Sequence, residues 1–390
     1  MGRPAVVMFW ADEVRVGSDG DLMEQPSFTA ILNEMKRHCE LYLVCGGSGP
    51  DVDEGSLHVR RLGYVLNLGN LLRNFLPVWQ SLGRIRREVA GLPNKRYLIV
   101  DFVPAALLAA SVFPPFPRGF FYVRGDDAKE LLVRQRGIKK ALALLPVLGI
   151  WVGRYLTSCK MGLIGAGSRP VSRWKLCRGM SLAFFPTSVR PEWLAAPDQA
   201  RRSTPPGGSA GLTLVGVGRF TAIKRFSLLL AAADVLHHAE SVPVRVVLVG
   251  DGPQREELER QAAGMAPGVE VIFRGYKSSE ETRDEIRKAH ALVISSRWEG
   301  FPKTLAEAVS QGTPVISTPV GSIPDFLRRF EVGEVVRPSS KALAHVMKQW
   351  LENPERWEEL RNRCLNVAPD LTIEQQSCRL VRFLSYKDHG

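Results

Sequence analysis

Two glutamates, Glu299 and Glu307, and two cations, Arg219 and Lys224, are the side chains of this sequence best placed to do chemistry. The carboxylates stand in Ser295-Ser296-Arg297-Trp298-Glu299-Gly300-Phe301-Pro302-Lys303-Thr304-Leu305-Ala306-Glu307-Ala308, and the cations close the run Leu212-Thr213-Leu214-Val215-Gly216-Val217-Gly218-Arg219-Phe220-Thr221-Ala222-Ile223-Lys224. Carboxylates accept hydrogen bonds from hydroxyl groups, whereas Arg and Lys neutralise phosphate oxygens and glycine lets a backbone approach them closely. The set suits a polyhydroxylated ligand carrying phosphates. Each part alone has a plainer account. Glu307 can pair with Lys303 at i,i+4, worth about 0.3 kcal/mol in the weaker Lys-first order. Gly216-Val217-Gly218 equally suggests a dinucleotide-binding turn, although the third glycine is not in place.

The elements that must hold these residues follow one pattern of strand, turn and helix. Ala291 to Ile294 reads as a buried strand, Gly300 breaks it, and Pro302 suits the first turn of a helix because its missing N–H costs nothing there. Glu307 then falls in the second helical turn on a polar stripe with Thr304 and Gln311, with Leu305 and Val309 facing a sheet. Upstream, the glycine turn at 216–218 precedes the helical run Phe226 to Leu236. The strand Val244 to Val249 ends at Gly250-Asp251-Gly252-Pro253 and opens the acidic helix Gln254 to Ala263, with Pro253 near its start. Arg274-Gly275-Tyr276-Lys277 follows the strand Val269 to Phe273, and Thr318-Pro319-Val320-Gly321-Ser322 follows Pro314 to Ile316. Five loops after five strands should converge on one sheet edge, where helix N-termini also present free amides.

These segments, in this order and spacing, resemble the donor half of the retaining GT-B glycosyltransferases, specifically the large family four (glycosyl transferases group 1), over about residues 211 to 340. The resemblance implies an α/β chain of two Rossmann-like, doubly wound domains facing a central cleft. It implies a nucleotide-sugar co-substrate whose diphosphate is held by Arg219 and Lys224, whose ribose hydroxyls meet Glu307, and whose sugar lies beside Glu299. Gly218, Gly250, Asp251, Gly300, Phe301, Lys303 and Thr304 complete the implied donor site, and Tyr276 lies near the base. Pro302 departs from the pattern of amide donors, since it has no N–H. The loop after the first strand implies an acceptor side at Gly17, Ser18, Asp19 and Gly20. Tyr122-Val123-Arg124-Gly125-Asp126-Asp127 falls where many relatives carry a histidine beside the reacting sugar; Arg124 and Asp126 replace it there, or Asp126 and Asp127 merely cap the next helix. The implied chemistry is same-face attack with the leaving phosphate as base, so Glu299 positions the sugar rather than forming a bond to it. Phosphorylases and epimerases use the same architecture.

At 390 residues the chain is too long for one core. The expected division is an acceptor-binding domain at 1–186, a linker rich in Pro, Ser and Gly at 187–210, a donor-binding domain at 211–370 and a helix at 371–390 returning to the first domain. First-domain strands are expected at Ala5–Trp10, Leu41–Cys45, Leu57–Arg61, Tyr97–Asp101, Gly119–Val123, Leu163–Ala166 and Ser181–Phe185, with a long loop from Ala11 to Gln25 and helices at Ser27–Arg37 and Ile373–Tyr386. The six cysteines show no paired or zinc spacing, and Met1 leads directly into a strand, so a cytoplasmic protein without a signal peptide is expected. The triplets Asp19-Gly20-Asp21 and Asp51-Val52-Asp53 read as solvated surface, no histidine stands at metal-ligand spacing, and no essential metal or other cofactor is expected.

Charge is uneven. Residues 60–178 carry 21 Lys+Arg against 5 Asp+Glu, a net of +16 that exceeds the +12 of the whole chain. Leu66 to Trp79 precedes Arg84-Ile85-Arg86-Arg87, and Lys139-Lys140 precedes Ala141 to Trp151. Such interleaving fits peripheral docking on an anionic membrane at its inner face, and with it a glycan, lipid-linked or other membrane-proximal acceptor; a soluble basic face over a buried helix has the same pattern. The apolar run Ala141 to Val152 contains Pro146 and is too short to span a bilayer. A nucleotide-dependent oxidoreductase rests on the 216–218 turn and a nucleic-acid-binding protein on charge alone, with no recognised binding module beside the basic region and so no nucleic-acid partner expected. UDP or GDP is the expected donor nucleotide; pocket shape, which sequence does not display, sets the sugar, the acceptor and the linkage.

Overall fold

A computed structural model describes residues 3–13, 15–16, 21–22, 26–46, 50–62, 75–92, 95–100, 119–123, 162–166, 181–195, 205–207 and 211–385. The chain forms two units, Met1–Ser188 with Ile373–Gly390, and Val189–Thr372. Residues 189–195, expected in the linker, pack on the second unit: Ala195 N–H donates to the Ser310 carbonyl (3.0 Å), and Gln311 Nε2 to that of Trp193 (2.7 Å).

The first unit contains β1 (Ala5–Glu13), α1 (Pro26–Met35), β2 (Glu40–Gly46), β3 (Val52–Glu54), β4 (Leu57–Arg61), α2 (Phe75–Ala90), β5 (Arg96–Val100), β6 (Gly119–Val123), β7 (Gly162–Ala166) and β8 (Ser181–Phe184). They form an eight-stranded sheet in the order β3-β4-β2-β1-β5-β6-β7-β8, parallel except for the β3–β4 pair. Strand period puts Val6 and Met8 on one face, where they meet Ile31, Leu32 and Met35 of α1 and Leu380 and Leu384 of the C-terminal helix Ile373–Ser385. That helix is fastened by Ser377 Oγ on the Ile31 carbonyl (3.3 Å), by Gln376 Oε1 accepting from Phe185 N–H (3.1 Å), and by Arg96 Nε on the Leu384 carbonyl (2.6 Å). Two expectations change here. β1 runs on to Glu13, and a Val16–Leu22 bridge follows it, so part of the long loop is extended pairing. Val52–Glu54, expected as solvated loop, is an edge strand whose neighbours are ion-paired, Asp51 with Arg84 (2.6 Å) and Asp53 with Arg60 (2.8 Å). Cations from β4 and α2 turn a polar tripeptide into an edge.

The second unit begins its sheet with β9 (Leu212–Val217) and continues through α3 (Phe226–Glu240), β10 (Val244–Val249), α4 (Arg255–Ala263), β11 (Val269–Gly275), α5 (Ser279–Lys288), β12 (Ala291–Ile294), α6 (Lys303–Ser310), β13 (Val315–Ser317), α7 (Ile323–Phe330), β14 (Gly333–Val335), α8 (Ser340–Glu352) and α9 (Pro354–Val367). All six strands are parallel, in the order β11-β10-β9-β12-β13-β14. This is a doubly wound sheet whose strand order reverses beside β9. The core joins Leu229, Leu230 and Ala233 of α3 to Trp350 of α8 and Trp357 of α9. Trp357 Nε1 donates to the His290 carbonyl (2.8 Å), so the largest apolar side chain keeps its one polar group satisfied.

Candidate functional site

Because the second sheet is wholly parallel, the turns after β11, β10, β9, β12 and β13 all lie at its C-terminal edge, in strand order. Backbone hydrogen bonds lace each turn to its neighbour. Gly250 N–H donates to the Gly275 carbonyl (2.8 Å), Gly218 N–H to Val249 (2.9 Å), and Phe220 N–H to Asp251 (2.9 Å). Gly250 sits at φ 131°, and a Cβ there would meet the Gly218 carbonyl oxygen at 2.1 Å, so only glycine allows this approach. Arg297 N–H donates to Ile223 (2.7 Å), which ties the turn after β9 to the one after β12. On the far side Thr318 Oγ1 donates to Ser296 (2.7 Å) and Ser322 N–H to Gly300 (3.3 Å). A Cβ on Gly321, φ 55°, would meet the carbonyl oxygens of Gly300 and Glu299 at 2.2 and 2.3 Å.

Arg219 and Lys224 differ in their surroundings. Arg219 is exposed and makes no hydrogen bond or ion pair with any described residue. Lys224 passes its side chain over Gly218, whose added Cβ would meet Lys224 Cε at 3.3 Å, and sets Nζ 2.6 Å from Glu299 Oε1. Ser296 Oγ donates to the same oxygen at 2.6 Å. A nearly buried carboxylate thereby receives a cation and a hydroxyl on one oxygen.

Glu307 lies one and a half turns into α6 and is only 9 % exposed. It shares the field of Lys303 and of Arg283 on α5. Lys303 keeps an exposed surface, yet crowding of its ammonium by protein lowers its pKa while Glu307 acts the other way. Arg283 is 9 % exposed and stacks 3.7 Å from the Trp193 ring centre; burial lowers its pKa, and Glu307 is the largest opposing influence. Pro302 is the residue before α6, at φ −73° and ψ 135°, rather than a member of its first turn, and Leu305 and Val309 face the core. Phe301 packs edge-on to Phe326 (5.3 Å), next to Gly300, and Thr304 opens α6 beside Lys303.

Other expected positions have more local roles. Asp251 has both oxygens engaged, Oδ1 by Gly252 N–H (2.7 Å) and Oδ2 by Arg255 (2.9 Å), so its carboxylate, held below the usual range mainly by that amide, caps its own turn. Pro253 precedes the cap residue Gln254 and stands outside α4. Tyr276 is 76 % exposed, an open aromatic surface one residue past Gly275. Gly17, Ser18, Asp19, Gly20, Arg124 and Asp126 lie outside the described residues; Asp21, from the first aspartate triplet, pairs with Lys36 at 2.5 Å. Sequence reasoning gave no role to Ser296, Arg225, Arg283 or Trp193. Only Ser296 carried a signal, as a hydroxyl three residues before Glu299 in the turn.

Residues 208–369 match the family model for glycosyl transferases group 1. The chain is 37 % identical over 113 residues to the Vi polysaccharide biosynthesis protein VipC/TviE of Salmonella typhi, covering 29 % of this chain and 19 % of that protein. It is 32 % identical over 136 residues to the phosphatidylinositol N-acetylglucosaminyltransferase gpi3 subunit of Schizosaccharomyces pombe, covering 35 % and 29 %. These matched stretches span less than a third of the curated relatives' own length. Among solved structures, Anabaena Alr3699/HepE in complex with UDP superposes with a TM-score of 0.64 at 13 % identity, over 97 % of this chain and 99 % of that one. The two Rossmann-like sheets are thus the GT-B fold, and the second unit carries the segment, residues 208–369, that is similar to the glycosyl transferases group 1 family.

Proposed function

We propose that this chain is a retaining glycosyltransferase that moves a sugar from a UDP- or GDP-sugar to a glycan, lipid-linked or other membrane-proximal acceptor. One observation carries the reading: an exposed Arg219, the Lys224–Glu299 pair and the buried Glu307 lie in adjacent laced turns, or on the helix that follows one, at one sheet edge. Arg219 and Lys224 take the diphosphate, Glu307 the ribose hydroxyls, Glu299 a sugar hydroxyl and Tyr276 the face of the base. As the glycosidic bond breaks, negative charge collects on the departing diphosphate; the two cations and the N–H groups opening α6 stabilise it. Lys224 links the two centres, since a phosphate that draws its ammonium also loosens its hold on Glu299 Oε1. The leaving phosphate serves as base for same-face attack. No metal is needed, because the cations meet the charge a divalent ion would otherwise neutralise. The bound UDP named for Alr3699/HepE supports a uridine donor here.

The proposal extends to cytoplasmic location and peripheral binding at an anionic membrane. Among the described residues α2 presents Arg84, Arg86, Arg87 and Trp79 outward, and no helix is long and apolar enough to cross a membrane. The apolar run 141–152 lies outside the described residues. The oxidoreductase alternative fits less well, because residues 218–225 separate β9 from α3, whereas a dinucleotide turn delivers its helix N-terminus directly to the pyrophosphate. The test is hydrolysis of UDP-, GDP- and ADP-sugars without acceptor, run beside binding of reduced nicotinamide nucleotides. Slow hydrolysis of one donor is expected; nicotinamide binding with no sugar-nucleotide turnover would transfer the assignment to the oxidoreductase class.

A further inference from the structure

Arg225 joins the two turns that carry Lys224 and Glu299. Its backbone is left-handed, φ 50° and ψ 46°, a conformation glycine reaches without strain and arginine does not. Merely closing the turn does not call for a long side chain. The guanidinium reaches the facing turn, where Nε donates to the Ser295 carbonyl and Nη2 to the Ser296 carbonyl, both at 2.8 Å. Ser295 Oγ returns the contact, donating to the carbonyls of Lys224 (2.8 Å) and Arg225 (2.9 Å). Partial burial and nearby Arg297 both work against the charge of Arg225, and the two carbonyls compensate it. The consequence reaches Glu299 through Ser296. With its carbonyl held by Arg225 and Thr318, Ser296 presents its hydroxyl to Glu299 Oε1, the oxygen that also takes Lys224. Glu299 Oε2 accepts no hydrogen bond from a described residue and is the oxygen left for a ligand.

We propose that Arg225, acting through Ser296, is a positioning residue for sugar transfer: it fixes which oxygen of Glu299 is held by protein and which faces the donor sugar. This rests on the reading of Glu299 as the sugar contact. Arg225 touches neither Lys224 Nζ nor the carboxylate, so its loss should misplace Glu299 while leaving the nucleotide contacts of Arg219 and Glu307 in place.

The test uses Arg225→Gly, which the left-handed backbone accepts, and Arg225→Asn, which also tolerates that conformation. In the full chain, both variants should melt no lower than the parent by more than a few degrees and bind the free nucleoside diphosphate within about threefold, while kcat falls about 10- to 100-fold. Amide exchange across 295–299 should quicken. Arg225→Lys, with one compact donor group in place of the fork, should recover only part of kcat. The proposal is overturned if kcat of the Gly and Asn variants stays within about twofold of the parent, or if nucleotide affinity falls in step with kcat, as general loosening of the site would produce. A parent chain that turns over no nucleotide sugar removes the glycosyltransferase reading instead; unchanged exchange at 295–299 then independently removes the role of Arg225.

Discussion

Glu299 and Glu307 differ in their surroundings, and that difference separates their expected phenotypes. Glu307 is buried on a helix among Arg283, Lys303 and the Trp193 stack, so Glu307→Ala should chiefly weaken binding of free UDP or GDP. Glu299 has one oxygen tied to Lys224 and Ser296, so Glu299→Ala should leave nucleotide affinity nearly intact and lower the rate of transfer. Calorimetry beside steady-state kinetics distinguishes them, and matching defects in both variants would show the roles to be divided wrongly. Lys224→Ala should affect both quantities, because the ammonium is bonded to Glu299, the proposed sugar contact, and is itself proposed to meet the phosphate. The types and turn positions of these residues were legible in sequence. The Lys224–Glu299 bond was not: its partners are 75 positions apart, and nothing local to either residue encodes their meeting. Arg225 was illegible for a related reason, since its backbone conformation, rather than its residue type, aims the guanidinium.

At the scale of elements, the second unit was legible because buried parallel strands are short apolar runs that end in glycine. Val244–Val249 and Ala291–Ile294 fall where those runs predict them. The edge strand Val52–Glu54 was missed because its pattern is polar and its pairing depends on Arg60, Arg61 and Arg84 from other elements. The helix Ser279–Lys288, which carries Arg283 into the site, opens with a capping box: Ser278 Oγ accepts from Glu281 N–H (3.1 Å), and the Glu281 carboxylate accepts from Ser278 N–H (2.9 Å). Ser278→Ala should cost about 1 kcal/mol of stability, read from denaturant unfolding. The Lys277 side chain, then the Ser278 amide, holds Glu281 at about 2, below its ordinary 4.5. A depressed carboxylate stabilises the fold above its unfolded pKa. That contribution should therefore be present above about pH 4.5 and disappear as pH falls towards 2. Glu281→Gln should flatten this part of the stability profile, and an unaltered profile would count against the box.

For the whole molecule, the uneven charge gives a membrane test. The chain should pellet with vesicles containing anionic lipid at low salt and be released at 1 M, where the Debye length is about 3 Å. Arg84 is partly neutralised by Asp51, so charge reversal at Arg86 and Arg87 should reduce pelleting most, with donor binding unaffected. Equal recovery from neutral and anionic vesicles would favour a soluble acceptor. Turnover should also persist in excess chelator, because Arg219 and Lys224 carry the proposed charge stabilisation; loss restored by a divalent cation would overturn that part. The central claim is that a nucleotide sugar binds at the laced edge of the second unit through the exposed Arg219. It is tested most directly by titrating UDP, GDP and ADP into the parent chain and Arg219→Ala. One nucleoside diphosphate should bind with 1:1 stoichiometry and lose about 10- to 150-fold in affinity in the variant, the range for one charge-assisted hydrogen bond in a cleft. Binding of none of the three, or equal affinity in both proteins, would contradict the claim.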